Sequence, residues 1–242
     1  ERLHPFDSGK YGRAWGLLKQ QLGASALSSL TVTPRREVTR DELLTLHTPG
    51  YLEQLTDRLY VARALEVPQL AQLPMAILDR YVLRPMRWAT HGTLLAAREA
   101  LQHGLAINLG GGFHHAKPDR GEGFCIYNDI TLAVLALRSE GQISQELRIL
   151  CIDLDAHMGN GVACAMQQDS RCFLFDMFNG SIYPTHDRAA RERIDAPIPL
   201  ASGTSTAEYL QQLTTRLPGF IDALHHEGQV ALAIYNAGTD IV

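Results

Sequence analysis

The sequence predicts an α/β fold: a single domain in which a parallel sheet carries helices on both faces. Three observations predict it. Four short apolar runs, Leu105–Leu109, Arg148–Asp155, Cys172–Asp176 and Val230–Tyr235, have the near-continuous hydrophobicity of strands buried on both sides. Segments with apolar residues at helical spacing separate them. No linker, repeat or low-complexity block divides the 242 residues.

The elements follow in order. Residues 1–10 are polar and turn-rich. Tyr11–Leu22 is amphipathic, with Trp15, Leu17 and Leu18 apolar and Lys19, Gln20 and Gln21 polar. Asp41 and Glu42 begin a short helix, and Pro49 suits the first turn of another that runs to Arg58. Pro85 opens a long helix through His103, Ala-rich where it would lie on a sheet. Leu105–Leu109 reads as the first strand, feeding Gly110-Gly111-Gly112. Asn128-Asp129 caps a helix to about Arg138. Arg148–Asp155 is the second strand, Gly161–Gln168 a short helix and Cys172–Asp176 the third strand. Thr206–His226 is a helix kinked at Pro218, and Val230–Tyr235 is the fourth strand.

Composition narrows the function classes. With 45% hydrophobic and 20% charged residues, the chain is neither disordered, collagenous nor a coiled coil. The net charge is −4, and Arg35-Arg36 and Arg188–Arg193 are its longest basic clusters. No direct nucleic-acid partner is expected. No run approaches the roughly 18 apolar residues of a membrane helix. The lack of a basic import cluster leans the location to the cytoplasm. Cys125, Cys151, Cys164 and Cys172 form no C-x-x-C pair and read as free, mostly buried thiols.

Ligands of such sheets bind beyond the carboxyl ends of the strands. Here every candidate strand delivers ionisable side chains at that end: His114-His115, Asp153-Leu-Asp155-Ala-His157, Asp176, and Asn236-Ala-Gly-Thr-Asp240. Two carboxylates and an imidazole around a buried strand end repel and desolvate badly without a cation, and the donor types suit Zn²⁺. An ion-paired loop is the alternative. Asp240 would complete a three-ligand site with an open position, where a metal activates water and polarises a carbonyl. Imidazoles in a glycine-flanked loop can take a proton from water and return it to a leaving amine. His225-His226, at the end of a long helix, fits a helix C-terminus instead. The chemistry points to metal-assisted hydrolysis of an amide or related C–N bond.

Four segments carry a resemblance: Gly110–Lys117 (GGGFHHAK), Gly121–Asp129 (GEGFCIYND), Ile152–Gly161 (IDLDAHMGNG) and Tyr235–Asp240 (YNAGTD). Together they resemble the zinc-dependent histone deacetylase family, along nearly the whole chain. Leu3–Lys10 (LHPFDSGK), Leu46–Leu52 (LHTPGYL) and Asn160, where other branches usually carry Asp, resemble its class IV branch. The resemblance implies an arginase-like fold and one catalytic zinc on Asp155, His157 and Asp240. It makes His115 the general base and later acid, and His114 an electrostatic partner oriented by Asp153. Asn160 would orient His115, and because an Asn holds no negative charge, His115 should be less easily protonated than beside Asp. The Gly123 carbonyl would accept the substrate amide N–H, and Phe124 and Tyr183 would wall an acyl-lysine tunnel. A structural K⁺ would take Asp153, Asp176 and the carbonyls of Asp155, His157 and Met177. The implied substrate is an N-acyl lysine in a protein or peptide, or an acylated amine, with acetyl or longer fatty acyl groups. One departure stands out. The family's oxyanion tyrosine lies beyond the third zinc ligand, whereas this sequence ends two residues after Asp240, and the family's first strand would precede Glu1. The sequence therefore reads as a deacetylase-like domain over 1–242, incomplete at both ends. Two other readings compete. A binuclear manganese ureohydrolase needs a further carboxylate where Gly159 stands. A non-catalytic metal- or acyl-lysine-binding module needs no oxyanion tyrosine.

Overall fold

The computed structural model describes residues 9–240. Most of the Leu3–Lys10 motif lies outside the described residues. The first half is helical: α1 (Lys10–Leu22), α2 (Ala24–Ser29), α3 (Arg40–Leu43), α4 (Pro49–Gln54), α5 (Arg58–Ala64), α6 (Met75–Leu78) and α7 (Arg84–His103). Local sequence sets several starts. Thr39 and Glu42 form a capping box on α3, and Pro49 sits in the first turn of α4. The helix expected over Pro49–Arg58 is instead two helices, because the Asp57 side chain accepts from Leu59 N and starts α5. Leu43, Tyr51, Leu52, Val61 and Leu65 of these helices pack on Ile126, Tyr127 and Leu132.

The second half builds the sheet. Helix α8 (Asp129–Ser139) is capped by Asn128, whose side chain accepts from Thr131 N at 3.0 Å. Then come β1 (Arg148–Asp153), α9 (Asn160–Ala165), β2 (Cys172–Asn179), α10 (Arg188–Arg193), β3 (Ala196–Leu200), α11 (Thr206–Glu227) and β4 (Val230–Asn236). The strands are parallel in the order β3-β2-β1-β4. One face of the sheet packs Ile149, Cys151, Leu174 and Leu232 against α7, α8 and α9. The other packs Leu154, Phe175, Met177 and Ile198 against Tyr209, Leu213, Leu217 and Phe220 of α11. The strand order reverses between β1 and β4, and the cleft at such a switch point is where this architecture places ligands.

Two strand expectations are corrected. Leu105–Leu109 joins no ladder among the described residues, and Leu105 and Ile107 are each 77% exposed. An apolar run becomes a strand only where a neighbour accepts its backbone hydrogen bonds, and none does so here. In its place, the unforeseen β3 completes the four strands. Its Pro197 and Pro199 argue against a central strand, but β3 is an edge strand, where a missing N–H can face away from the ladder. The short helix expected over Gly161–Gln168 is Asn160–Ala165, and α11 continues through Pro218. No helix among the described residues is long and apolar enough to cross a membrane. All four cysteines are free, with Cys125, Cys151 and Cys172 buried.

Candidate functional site

The site grows from the carboxyl end of β1. Asp153 is in register with Asp176 on β2 and with Asn236 on β4. By strand alternation Asp153 and Asp176 lie on the face that Cys151 and Leu174 pack toward α8. Asn236 Nδ2 donates to Asp153 Oδ1 at 3.0 Å, and Asp153 Oδ2 lies 2.6 Å from His114 Nδ1. Asp176 Oδ2 accepts from Gly159 N at 2.8 Å, while its Oδ1 is buried without a hydrogen-bond partner. Both carboxylates line a cavity of about 20 Å³, room for one small occupant. Burial and then the neighbouring Asp153 raise the Asp176 pKa well above the carboxylate range.

Beyond Asp153 the chain turns tightly. Asp155 N donates to Asp153 Oδ1 at 3.1 Å, and His157 N donates to Asp155 Oδ1 at 2.9 Å. The loop after β4 closes on this turn through Gly238, where any Cβ would stand 2.3 Å from Asp155 Oδ2. That approach brings in Asp240, whose Oδ1 accepts from Ala156 N at 3.1 Å. Ligating atoms of Asp155, His157 and Asp240 then lie within 4.8 Å of one another. His157 Nδ1 stands 3.2 Å from Asp155 Oδ1 and 2.9 Å from Asp240 Oδ2. Its hydrogen bonds to these two carboxylates push its pKa up to about 9. One nitrogen facing two converging carboxylates is a donor set of the catalytic zinc type. Gly159 carries no carboxylate, so the further ligand of a binuclear site is missing at this position, where a Cβ would stand 2.7 Å from Asp153 Oδ2.

The histidine pair sits on a loop held from behind. Asp129, the first residue of α8, accepts from Gly112 N at 2.9 Å, from Phe113 N at 2.7 Å and from the Thr93 hydroxyl. Val162 N of α9 donates to His114 O at 3.1 Å, and a Cβ at Gly161 would collide with the His115 carbonyl. The rings of His114 and His115 are 4.0 Å apart, and His115 is 5.8 Å from the His157 ring. Their partners differ. Burial opposes a charge on His114, but Asp153 outweighs it and pushes the pKa up to about 10. His115 Nδ1 faces the amide Oδ1 of Asn160 at 2.8 Å. Burial and then the charge on His114 hold its pKa well below the usual imidazole value.

Gly123 and Tyr183 stand against His115. Gly123 has φ +55°, and a Cβ there would be 2.4 Å from His115 Cδ2. Phe124 follows with φ +63°, a left-handed conformation rare outside glycine and of a kind that gathers at functional sites. The Tyr183 ring meets His115 edge-on at 5.1 Å, and burial raises the pKa of its hydroxyl. Met177 turns its side chain to the opposite sheet face with Phe175 and Ile198. His225 and His226 occupy the last turn of α11. Residue-type reasoning missed Asp129, Thr93, Lys117, Glu122 and Asp187. Lys117, Glu122 and Asp129 do stand inside the motifs, which was the available signal.

The histone deacetylase domain family matches residues 4–242. Histone deacetylase 2 of Arabidopsis thaliana is 40% identical over 242 residues, all of this chain and 60% of that protein. The acetoin utilization protein AcuC of Staphylococcus aureus (strain MRSA252) is 32% identical over 176 residues, covering 69% of this chain and 42% of the relative. The chain thus spans 60% or less of the length of these two relatives. The solved structure of an HDAC homologue from Aquifex aeolicus superposes with a TM-score of 0.61 at 26% identity, covering 83% of this chain and 55% of that one. The HDA15 HD domain gives 0.66 at 19% identity, covering 93% and 67%.

Proposed function

The chain belongs to the histone deacetylase domain family, and from that membership we propose that it is the core of a zinc-dependent deacylase acting on N-acyl lysine side chains. The observation that carries the reading is one juxtaposition: an Asp155–His157–Asp240 donor set beside a buried imidazole held neutral, His115. Zinc, when bound by these three residues, supplies a Lewis acid that makes water more acidic and polarises a carbonyl. His115 presents Nδ1 to Asn160, which leaves Nε2 to take a proton from the attacking water and return it to the departing lysine amine. His114, paired with Asp153, supplies positive charge beside the developing oxyanion. The Gly123 carbonyl orients the substrate amide, and Phe124 and Tyr183 flank the acyl-lysine stem. A potassium ion on Asp153, Asp176 and the carbonyls of Asp155, His157 and Met177 would supply charge compensation below, and the unpartnered Asp176 Oδ1 fits that assignment.

Asn160 and the Leu46–Leu52 motif support placement in the class IV-like branch, with acetyl and longer fatty acyl groups as leaving acids and acylated proteins or amines as substrates. The domain is taken as residues 1–242, and the cytoplasm as its place of action. The test is turnover of two matched peptides, acetyl-lysine and long-chain acyl-lysine, by the zinc-loaded chain. Chelator-sensitive hydrolysis lost in His115→Ala is expected, and the peptide ratio reads the acyl preference. One zinc per chain without turnover of either peptide would instead identify a metal- or acyl-lysine-binding module.

A further inference from the structure

Asn160 is 1% exposed, and its carboxamide is contacted on both sides. Oδ1 faces His115 Nδ1 at 2.8 Å. Nδ2 donates to Glu122 Oε1 at 2.6 Å and to Asp187 Oδ2 at 3.2 Å. Those two carboxylates share one cation: Lys117 Nζ is 2.5 Å from Asp187 Oδ2 and 3.1 Å from Glu122 Oε1, with 7% of the Lys117 side chain exposed. Lys117 is itself fixed by its backbone, whose carbonyl accepts from His47 Nδ1 at 3.1 Å.

The chemistry of this arrangement has one orientation. An amide NH₂ can donate to two carboxylates and an amide oxygen cannot accept from them. Turning the carboxamide over would set Oδ1 against both carboxylates and strip each of its donor, a costly exchange at a buried site, and the NH₂ would then face His115 and select the Nε2–H tautomer. Asn160 must therefore offer oxygen to His115. His115 must then carry its proton on Nδ1 and keep Nε2 as acceptor. Arg120 Nε lies 3.2 Å from Glu122 Oε2, so two carboxylates and two cations, Lys117 and Arg120, balance one amide away from the imidazole.

We infer that Glu122, braced by Lys117 and Asp187, is a positioning residue that locks the Asn160 carboxamide and through it the Nδ1–H tautomer of His115. The carboxylate that could stand next to the imidazole has been moved one side chain outward, so Asn160 and Glu122 form a coupled pair. The inference rests on His115 being the proton acceptor of the proposed reaction. It explains why Asn rather than Asp suits position 160: a carboxylate there would face Glu122 at 2.6 Å with no proton between them.

The experiment compares wild type, Glu122→Met, Asn160→Asp and the exchange Asn160→Asp/Glu122→Gln, all zinc-loaded and checked for native melting. Glu122→Met removes the main acceptor, and Asn160→Asp opposes two carboxylates. Each is expected to lower kcat about 10- to 100-fold with KM little changed. The exchange restores one carboxylate and one amide to the pair and should return kcat to within about threefold of wild type, a coupling of the size neighbouring residues show. Nitrogen NMR of labelled histidine reads the same device without turnover. The His115 proton is expected on Nδ1 in wild type and in the exchange, and redistributed toward Nε2 in Glu122→Met. An exchange variant no faster than Asn160→Asp, or an unchanged His115 tautomer in Glu122→Met, would overturn the inference. If wild type turns over neither acyl peptide, the deacylase reading fails, and the tautomer comparison alone decides the positioning role.

Discussion

Two networks lie behind two adjacent histidines. Behind His114 the sheet end presents carboxylates: Asp153 at 2.6 Å, Asp155 at 3.7 Å, and Asp176 beneath. Behind His115 stands a neutral amide, with its carboxylates one step further off and neutralised in part by Lys117. The rings are 4.0 Å apart and share a loop, yet one is driven toward imidazolium and the other toward neutral imidazole. Residue type does not assign their roles; the groups behind each ring do. The charge on His114 also helps to keep His115 neutral, so the two networks act on each other.

The largest effect should come from breaking the pair itself. His115→Ala removes the proposed proton acceptor and is expected to lower kcat by about 10²–10⁴-fold, the range for a positioned acid–base group. His114→Ala should cost less, because a charge beside the oxyanion is lost while proton transfer remains. Turnover of an acetyl-lysine peptide by the two variants measures the difference. Equal losses would show that the networks do not divide the labour.

The support behind His115 has an acid limit. His47 donates from Nδ1 to Lys117 O and accepts at Nε2 from Asn128 N, so it must stay neutral, and burial lowers its pKa to about 4. Between the ordinary value near 6.5 and about 4 the unfolded chain binds a proton that the folded chain refuses. Stability is therefore full above 6.5 and falls as the pH drops to 4, by about 3 kcal/mol for this residue. Urea unfolding of wild type and His47→Gln across that window checks it, and the variant should show a shallower slope.

A smaller change makes the networks alike. Asp153→Asn gives His114 an amide partner similar to that of His115. A loss of about 10- to 100-fold in zinc affinity or turnover is expected, the usual cost of changing a group that orients a metal site. Zinc competition titration and peptide turnover read the two separately.

Much of this was legible because caps and strand ends are local. Asn128 marked a helix start and the charged residues after β1 and β4 marked the site, whereas Pro85 falls inside a helical run that the π-helical turn Asp79–Leu83 joins to α6. What failed was non-local. Among the described residues Leu105–Leu109 has strand composition but no ladder partner, whereas Ala196–Leu200 is a strand despite two prolines because it pairs on one side only. The network behind Asn160 joins residues 27 to 70 apart in sequence, and no spacing rule announces such contacts.

The mildest expected effect concerns the floor beneath His114. Asp176 Oδ1 has no partner, and its pKa is raised by burial and by Asp153. A monovalent cation there would satisfy that oxygen and let both carboxylates stay charged. At tenfold above its Kd such an ion stabilises the fold by about 1.4 kcal/mol, or roughly 3–6 °C in Tm for a chain of this size. Exchanging potassium for choline at constant ionic strength should lower Tm by that amount in wild type and leave Asp176→Asn unmoved. An equal shift in both proteins would mean that the salt acts elsewhere, and the charge on His114 would then be the only compensation the floor receives.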